Sequence, residues 1–212
     1  MSIAAKPLAL KRHCKALAKA CPHMARALEI GGMPPSRDRE GGFRTLMRVI
    51  VDQQISVHAG RAIWERLETR LGEVSAERVM AVRRPTLRKC GLSAQKIVYA
   101  RELAGAIRRG TLDLDGLHDL DDTAAIAQLT AIKGIGAWTA KIYLMFAMGR
   151  PDIMPSGDLA LQVSAQKLIG LKTRPKPKEL AAIAESWRPY RTSAAVLLWS
   201  FYRKVPLLDA DD

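Results

Sequence analysis

LTAIKGIGAWTAKIYLMFAMG, residues 129–149, is the stretch on which the fold of this chain turns. Ile126, Leu129 and Ile132 stand at helical spacing before a pair of glycines, and Trp138, Ile142, Met145 and Phe146 resume that spacing after them. The pattern predicts two helices joined by a tight turn. Gly134 and Gly136 permit positive φ and carry no side chain, so amides at the start of the second helix can come close to a phosphate. Lys133, Gly134, Ile135, Gly136 and Thr139 are the residues assigned to this clamp. A hairpin of this kind grips the sugar-phosphate chain without reading bases. A bare Gly-x-Gly is also an ordinary helix end and turn, so the assignment leans on the segment downstream of the hairpin. RPDIMPSGD, residues 150–158, is a Gly/Pro-rich segment that ends in Asp158.

Composition points the same way. The chain has 212 residues, 48% of them apolar, enough to bury a sizeable core. It carries 34 Lys and Arg against 21 Asp and Glu, a net charge of +13, which predicts a polyanionic partner. The excess is concentrated before Leu120, with 22 basic against 12 acidic residues. There is no apolar run long enough to span a bilayer and no lipidation signal, so no membrane partner is expected. Lys11, Arg12, Lys15 and Lys19 interrupt the N-terminal stretch, which reads as lacking a signal peptide. Cys14, Cys21 and Cys90 are scattered, as suits a reducing cytoplasm. They are too few for the four-cysteine loop of an iron–sulfur cluster, and none comes after the hairpin. His13, His23, His58 and His118 show no zinc spacing and read as surface or helix-end residues.

Helical spacing continues through nearly the whole chain, and alternating β-branched runs are lacking, so the fold class is all-α. Helices are predicted at 8–20, 22–30, 42–54, 57–71, 75–82, 84–90, 93–109, 122–131, 136–148, 158–169, 178–185 and 191–203. Breaks fall at Gly31-Gly32-Met33-Pro34-Pro35, Gly72, Pro85, Gly110, Gly149-Arg150-Pro151, Pro155-Ser156-Gly157 and TRPKP at 173–177. Asp209, Asp211 and Asp212 form an acidic tail expected to fray.

The hairpin, with a Gly/Pro-rich segment and an aspartate after it, resembles the helix-hairpin-helix DNA glycosylase superfamily. VDQQISVHAGRAIWERL at 51–67, GLSAQKIVYARELA at 91–104 and WRPYRTSAAVLLW at 187–199 narrow the resemblance to the alkylpurine (3-methyladenine) DNA glycosylase II family. The likeness runs from about residue 22 to residue 203, in a compact all-helical form without the N-terminal β-rich domain of longer members. It implies one helical subdomain at 42–149 carrying the hairpin, and a second built from 1–41 and 150–212 carrying the catalytic aspartate. An active cleft between them would have Trp138 on one wall, Trp199 on the other and Asp158 at the junction. The implied partner is double-stranded DNA containing damaged purines, engaged by a monomer in the cytoplasm, at a bacterial nucleoid or in a eukaryotic nucleus.

The resemblance assigns site residues by matching position. Asp158 matches the family's catalytic aspartate; it also reads as a helix N-cap, and the two readings are compatible. Asp152 lies outside the matching position and is assigned a structural role. Trp138, Trp199 and Tyr143 are assigned to the base pocket, with core packing the alternative reading of the two tryptophans, and Tyr143 is one residue beyond a family aromatic position filled here by Ile142. Trp64 and Trp187 read as core. Gln54, in Gln53-Gln54-Ile55-Ser56, holds the position of the wedge that enters the duplex where a nucleotide leaves; the plainer reading is a helix-end glutamine. The main-chain carbonyls of Thr130, Ile132 and Ile135 match a site for a weakly held Na or K ion, with no other cofactor required.

Trp138 stands where bifunctional relatives carry a Schiff-base lysine, and an indole cannot form that bond. Lys141 reads as a surface or phosphate-contacting residue. A monofunctional glycosylase excising 3-methyladenine and 7-methylguanine types in base excision repair is therefore expected. Two rivals stay open: a catalytically silent hairpin DNA-binding module, and a bifunctional glycosylase/lyase for other lesions.

Overall fold

The computed structural model describes residues 7–36 and 38–205; the acidic tail lies outside them. Among the described residues there are twelve α-helices and no strand. They are α1 (Leu10–Ala20), α2 (Pro22–Gly31), α3 (Phe43–Asp52), α4 (Val57–Leu71), α5 (Ala76–Ala81), α6 (Arg84–Lys89), α7 (Ala94–Arg108), α8 (Asp122–Thr130), α9 (Ala137–Phe146), α10 (Leu159–Ile169), α11 (Pro177–Ala184) and α12 (Arg191–Tyr202). Each coincides with a predicted helix to within a few residues, the usual uncertainty of fraying ends. Two 3-10 turns, Gly116–Asp119 and Glu185–Trp187, were not anticipated, because so short an element leaves no periodic signal.

Side-chain caps set many of the starts. Ser56, Ser75, Ser93 and Asp121 accept bonds from the amides of Ala59, Arg78, Lys96 and Ala124, satisfying donors that lack a partner in the first turn. The described residues divide into two compact units, 39–148 and the combination of 7–36 and 38 with 149–205.

In the first unit, Met47 and Val51 of α3 pack with Trp64 and Leu67 of α4, Val79 of α5, Leu87 of α6 and Ile97 of α7. Each such burial contributes about 1.5–3 kcal/mol before ordering costs. Trp64 is core, as expected, and the guanidinium groups of Arg44 and Arg48 lie over its ring at 5.2 and 5.3 Å. Lys96 is buried, and its ammonium donates to Val51 O at 2.7 Å, at the C-terminal end of α3. A cation there meets the negative end of the helix dipole. Burial pushes the Lys96 ammonium below its ordinary value, and the Asp52 carboxylate opposes that shift.

In the second unit α12 is the central element, with Thr192–Leu198 all buried. A Cβ on Gly31 would lie 2.8 Å from the Phe201 nitrogen, so α2 and α12 cross in backbone contact, fastened by Ser200 Oγ donating to Gly31 O. Ser164 Oγ of α10 donates to Leu198 O at 3.0 Å, and Thr192 Oγ1 both donates to Arg150 O and accepts from the Ile153 amide. These bonds hold the segment leading to α10 against α12. His13 corrects the expectation that all four histidines are peripheral. It is 6% exposed, stacked on Tyr190 with ring centroids 4.4 Å apart.

Candidate active site

The hairpin consists of α8, the turn Ala131–Gly136 and α9. Gly134 adopts φ +97°, and a Cβ there would fall 2.2 Å from Tyr99 Cγ, so conformation and packing both demand glycine. Gly136 differs from the expectation: its φ is −84°, and nothing lies within 4 Å of where its Cβ would be. The space above the start of α9 is therefore open, and no side chain caps that helix. Lys133 is exposed beside it. Ile135 and Thr139 are buried at 3% and 4%, so any phosphate contact from them is through backbone; the Thr139 hydroxyl faces Gln53 Nε2 at 3.5 Å.

The turn after α3 packs on this hairpin. Gln53 extends the chain, and its amide Nε2 donates to Gly134 O at 3.0 Å. Gln54 comes next at φ +54°, the one non-glycine residue with positive φ among those described, and is exposed. A strained conformation of this kind persists only where the surroundings enforce it, and such positions cluster at functional sites. Here the Gln53 and Lys96 bonds and the Ser56 cap do so. Ile55 and Val57 are also exposed, at 37% and 82%, so the tip carries apolar surface beside the Gln54 amide.

Val49, Asp52, Gln53, Gln54, Trp138 and Ile142, with Arg39, line a cavity of about 390 Å³ within the first unit. That volume is in the range of small-ligand sites. Trp138 is 45% exposed and supplies the one aromatic face of that wall. Tyr143 does not contribute. It is 2% exposed, its hydroxyl accepts from the Gly42 amide at 2.8 Å, and burial pushes its phenol upward. Its assignment to the base pocket is corrected to the core, because on α9 it turns inward while Trp138 and Ile142 face the cavity.

In the second unit Asp158 is the N-cap of α10. Its Oδ1 accepts from the Leu161 amide at 3.1 Å and from the Trp199 indole nitrogen at 3.1 Å. Its own amide donates to Pro155 O, and Gln162 Nε2 fixes Ser156 O at 2.9 Å. Trp199, on α12, thus orients a carboxylate, a relationship that sequence order alone does not reveal across 41 residues. Asp152 is held structurally, its carboxylate receiving bonds from Arg188 and Arg191. No cluster of three His, Cys, Asp or Glu suited to a metal occurs among the described residues, nor any helix able to cross a membrane.

Comparison with known proteins identifies the family of the chain. Residues 47–189 match the profile described as HhH-GPD superfamily base excision DNA repair protein, and the chain belongs to that superfamily. A putative DNA-3-methyladenine glycosylase of Bacillus subtilis is 28% identical over 74% of this chain, which spans 58% of that relative's length. The crystal structure of a DNA-3-methyladenine glycosidase from Bacillus halodurans superposes with a TM-score of 0.81 and 34% identity, covering 90% of this chain and 88% of that one. A 3-methyladenine DNA glycosylase of Schizosaccharomyces pombe, solved with abasic DNA, gives a TM-score of 0.79 and 29% identity over 89% of this chain and 95% of its own.

Proposed function

We propose that this chain is a monofunctional DNA glycosylase that hydrolyses the N-glycosidic bond of alkylated purines, of 3-methyladenine and 7-methylguanine type, in duplex DNA. The observation that carries the reading is Asp158: a carboxylate fixed at a helix N-cap and by an indole N–H, in a chain of this superfamily.

Chemistry on a base requires the nucleotide to leave the stack. The hairpin amides and Lys133 hold the backbone, and Gln54 fills the gap left behind. The Trp138 face stacks on the extruded base and favours a cationic ring by about 1–2 kcal/mol once desolvated. As the C1′–N bond breaks, its electron pair leaves with the base and positive charge builds on the sugar. A carboxylate about 4 Å away stabilises that charge by about 4 kcal/mol at an effective dielectric of 20. This corresponds to about three powers of ten in rate. Water then bonds to C1′ and passes its extra proton to the Asp158 carboxylate or to solvent. An alkylated purine is already cationic, so no general acid is needed for it to depart. The absence of a Schiff-base lysine at position 138 favours this route over a lyase.

The carbonyls of Thr130, Ile132 and Ile135 would hold the hairpin's Na or K ion. These three residues line a polar depression of about 380 Å³, and Ile132 O, which accepts from the Ile135 amide, retains a second lone pair.

The test is incubation of methylated duplex DNA with the protein, then chromatography of released bases. Free 3-methyladenine and 7-methylguanine are expected. Binding of the duplex with no base released would support the silent-module rival instead.

A further inference from the structure

Asp52 has no part in the bond-breaking chemistry of Asp158, yet it is the one carboxylate among the residues lining the Trp138 cavity. Its Oδ1 is buried without a hydrogen-bond partner among the described residues, pressed on α4 where a Cβ at Gly60 would lie 2.2 Å away. Its side chain is nevertheless 39% exposed, so the solvent-facing edge belongs to the Oδ2 side. Oδ2 accepts from Arg48 Nε at 2.9 Å and has lone-pair capacity to spare. The other charged groups lining this cavity or bonded to Asp52 are cationic. Arg48 is paired to it, Arg39 lines the same cavity, and Lys96 is close enough for its ammonium to feel the Asp52 charge. Without Asp52 the cavity would carry positive potential in a chain that already has a net charge of +13.

We propose that Asp52 is the specificity-determining carboxylate of this cavity: it lets a positively charged N-alkylated purine rest on Trp138 in surroundings that would otherwise repel it. The assignment rests on the glycosylase reading for the identity of the guest, and adds charge discrimination by a residue outside the bond-breaking step. A neutral purine gains little from the carboxylate and loses little without it.

The test uses duplexes in which a 2′-fluorine keeps the glycosidic bond intact, so that binding is read free of base release. One carries 7-methylguanine and the other hypoxanthine at the same position. The wild-type protein is expected to prefer the methylated duplex by about tenfold, and Asp52→Asn to lose most of that preference while its affinity for the hypoxanthine duplex stays within about twofold. Arg39→Ala, which leaves Asp52 and its Arg48 partner in place, is expected to move the preference the other way. Equal weakening on both duplexes by Asp52→Asn, or a wild-type protein with no preference, would overturn the proposal. A preference that persists in a protein releasing no base from ordinary methylated DNA would contradict the glycosylase reading and leave Asp52's role standing.

Discussion

The Trp199 indole N–H and the Leu161 amide meet on the same oxygen of Asp158, each at 3.1 Å. The helix cap and the indole together hold the carboxylate's rotamer, and on the proposed glycosylase reading its charge is thereby aimed before substrate arrives. Preorganised charge costs no rearrangement during reaction, which is where electrostatic catalysis gains most. Trp199→Phe keeps an aromatic ring and removes the N–H. Base release is expected to fall about tenfold, the equivalent of one lost hydrogen bond to a charged group, with duplex affinity little changed. Single-turnover release beside equilibrium binding separates the two.

Association with undamaged duplex is expected to weaken steeply with salt, since Lys133 and the hairpin amides displace counterions from phosphates. Lys133→Ala is expected to lower affinity across sequences and reduce the slope of log K against log salt by about one. Fluorescence anisotropy across a salt series checks this.

His13 gives a pH dependence of stability. Burial, and secondarily Arg12, lower its pKa from 6.5, and its Nδ1 has no partner among the described residues. The unfolded chain therefore takes up the proton more readily than the folded one. Stability is unaffected above the unfolded pKa and falls as pH drops through it, until folded His13 itself protonates. Its share of the slope is at most about 1.4 kcal/mol per pH unit. His13→Phe is expected to flatten urea-denaturation midpoints plotted between about pH 7.5 and pH 5.

The resemblance puts Trp138 at the position of a Schiff-base lysine, and on that reading the reaction products are diagnostic. An abasic strand that stays intact until treated with alkali or heat is expected, with no covalent adduct trapped by borohydride. Adduct abolished by Lys141→Ala would establish the lyase rival.

Much of the architecture was legible because the signals for it are local. Ser56, Ser75, Ser93, Asp121 and Asp158 announce helix starts, and helical periodicity outlines the helices they cap. Which way a side chain turns is set by packing that a linear pattern does not contain. Tyr143 and Ile142 are neighbours on α9, and only the fold shows that the phenol is spent on the Gly42 amide while Ile142 reaches the cavity. Gln53 looks like Gln54 in sequence, but its partner is Gly134, 81 residues away. Asp52 gave no signal at all, since its importance comes from the cations the fold gathers near it. Gln54 was marked by resemblance, while its positive φ is visible only in three dimensions.

The most direct measurement compares Asp158→Asn with the wild-type protein on methylated duplex, tracking base release under single turnover and DNA binding in parallel. Asparagine is as good a helix N-cap as aspartate, so the fold and the binding surface are preserved. Release is expected to fall by at least about two orders of magnitude with affinity unchanged, because the amide has no net charge to oppose the sugar cation. Release at close to the wild-type rate would contradict the assignment of Asp158 as the catalytic carboxylate.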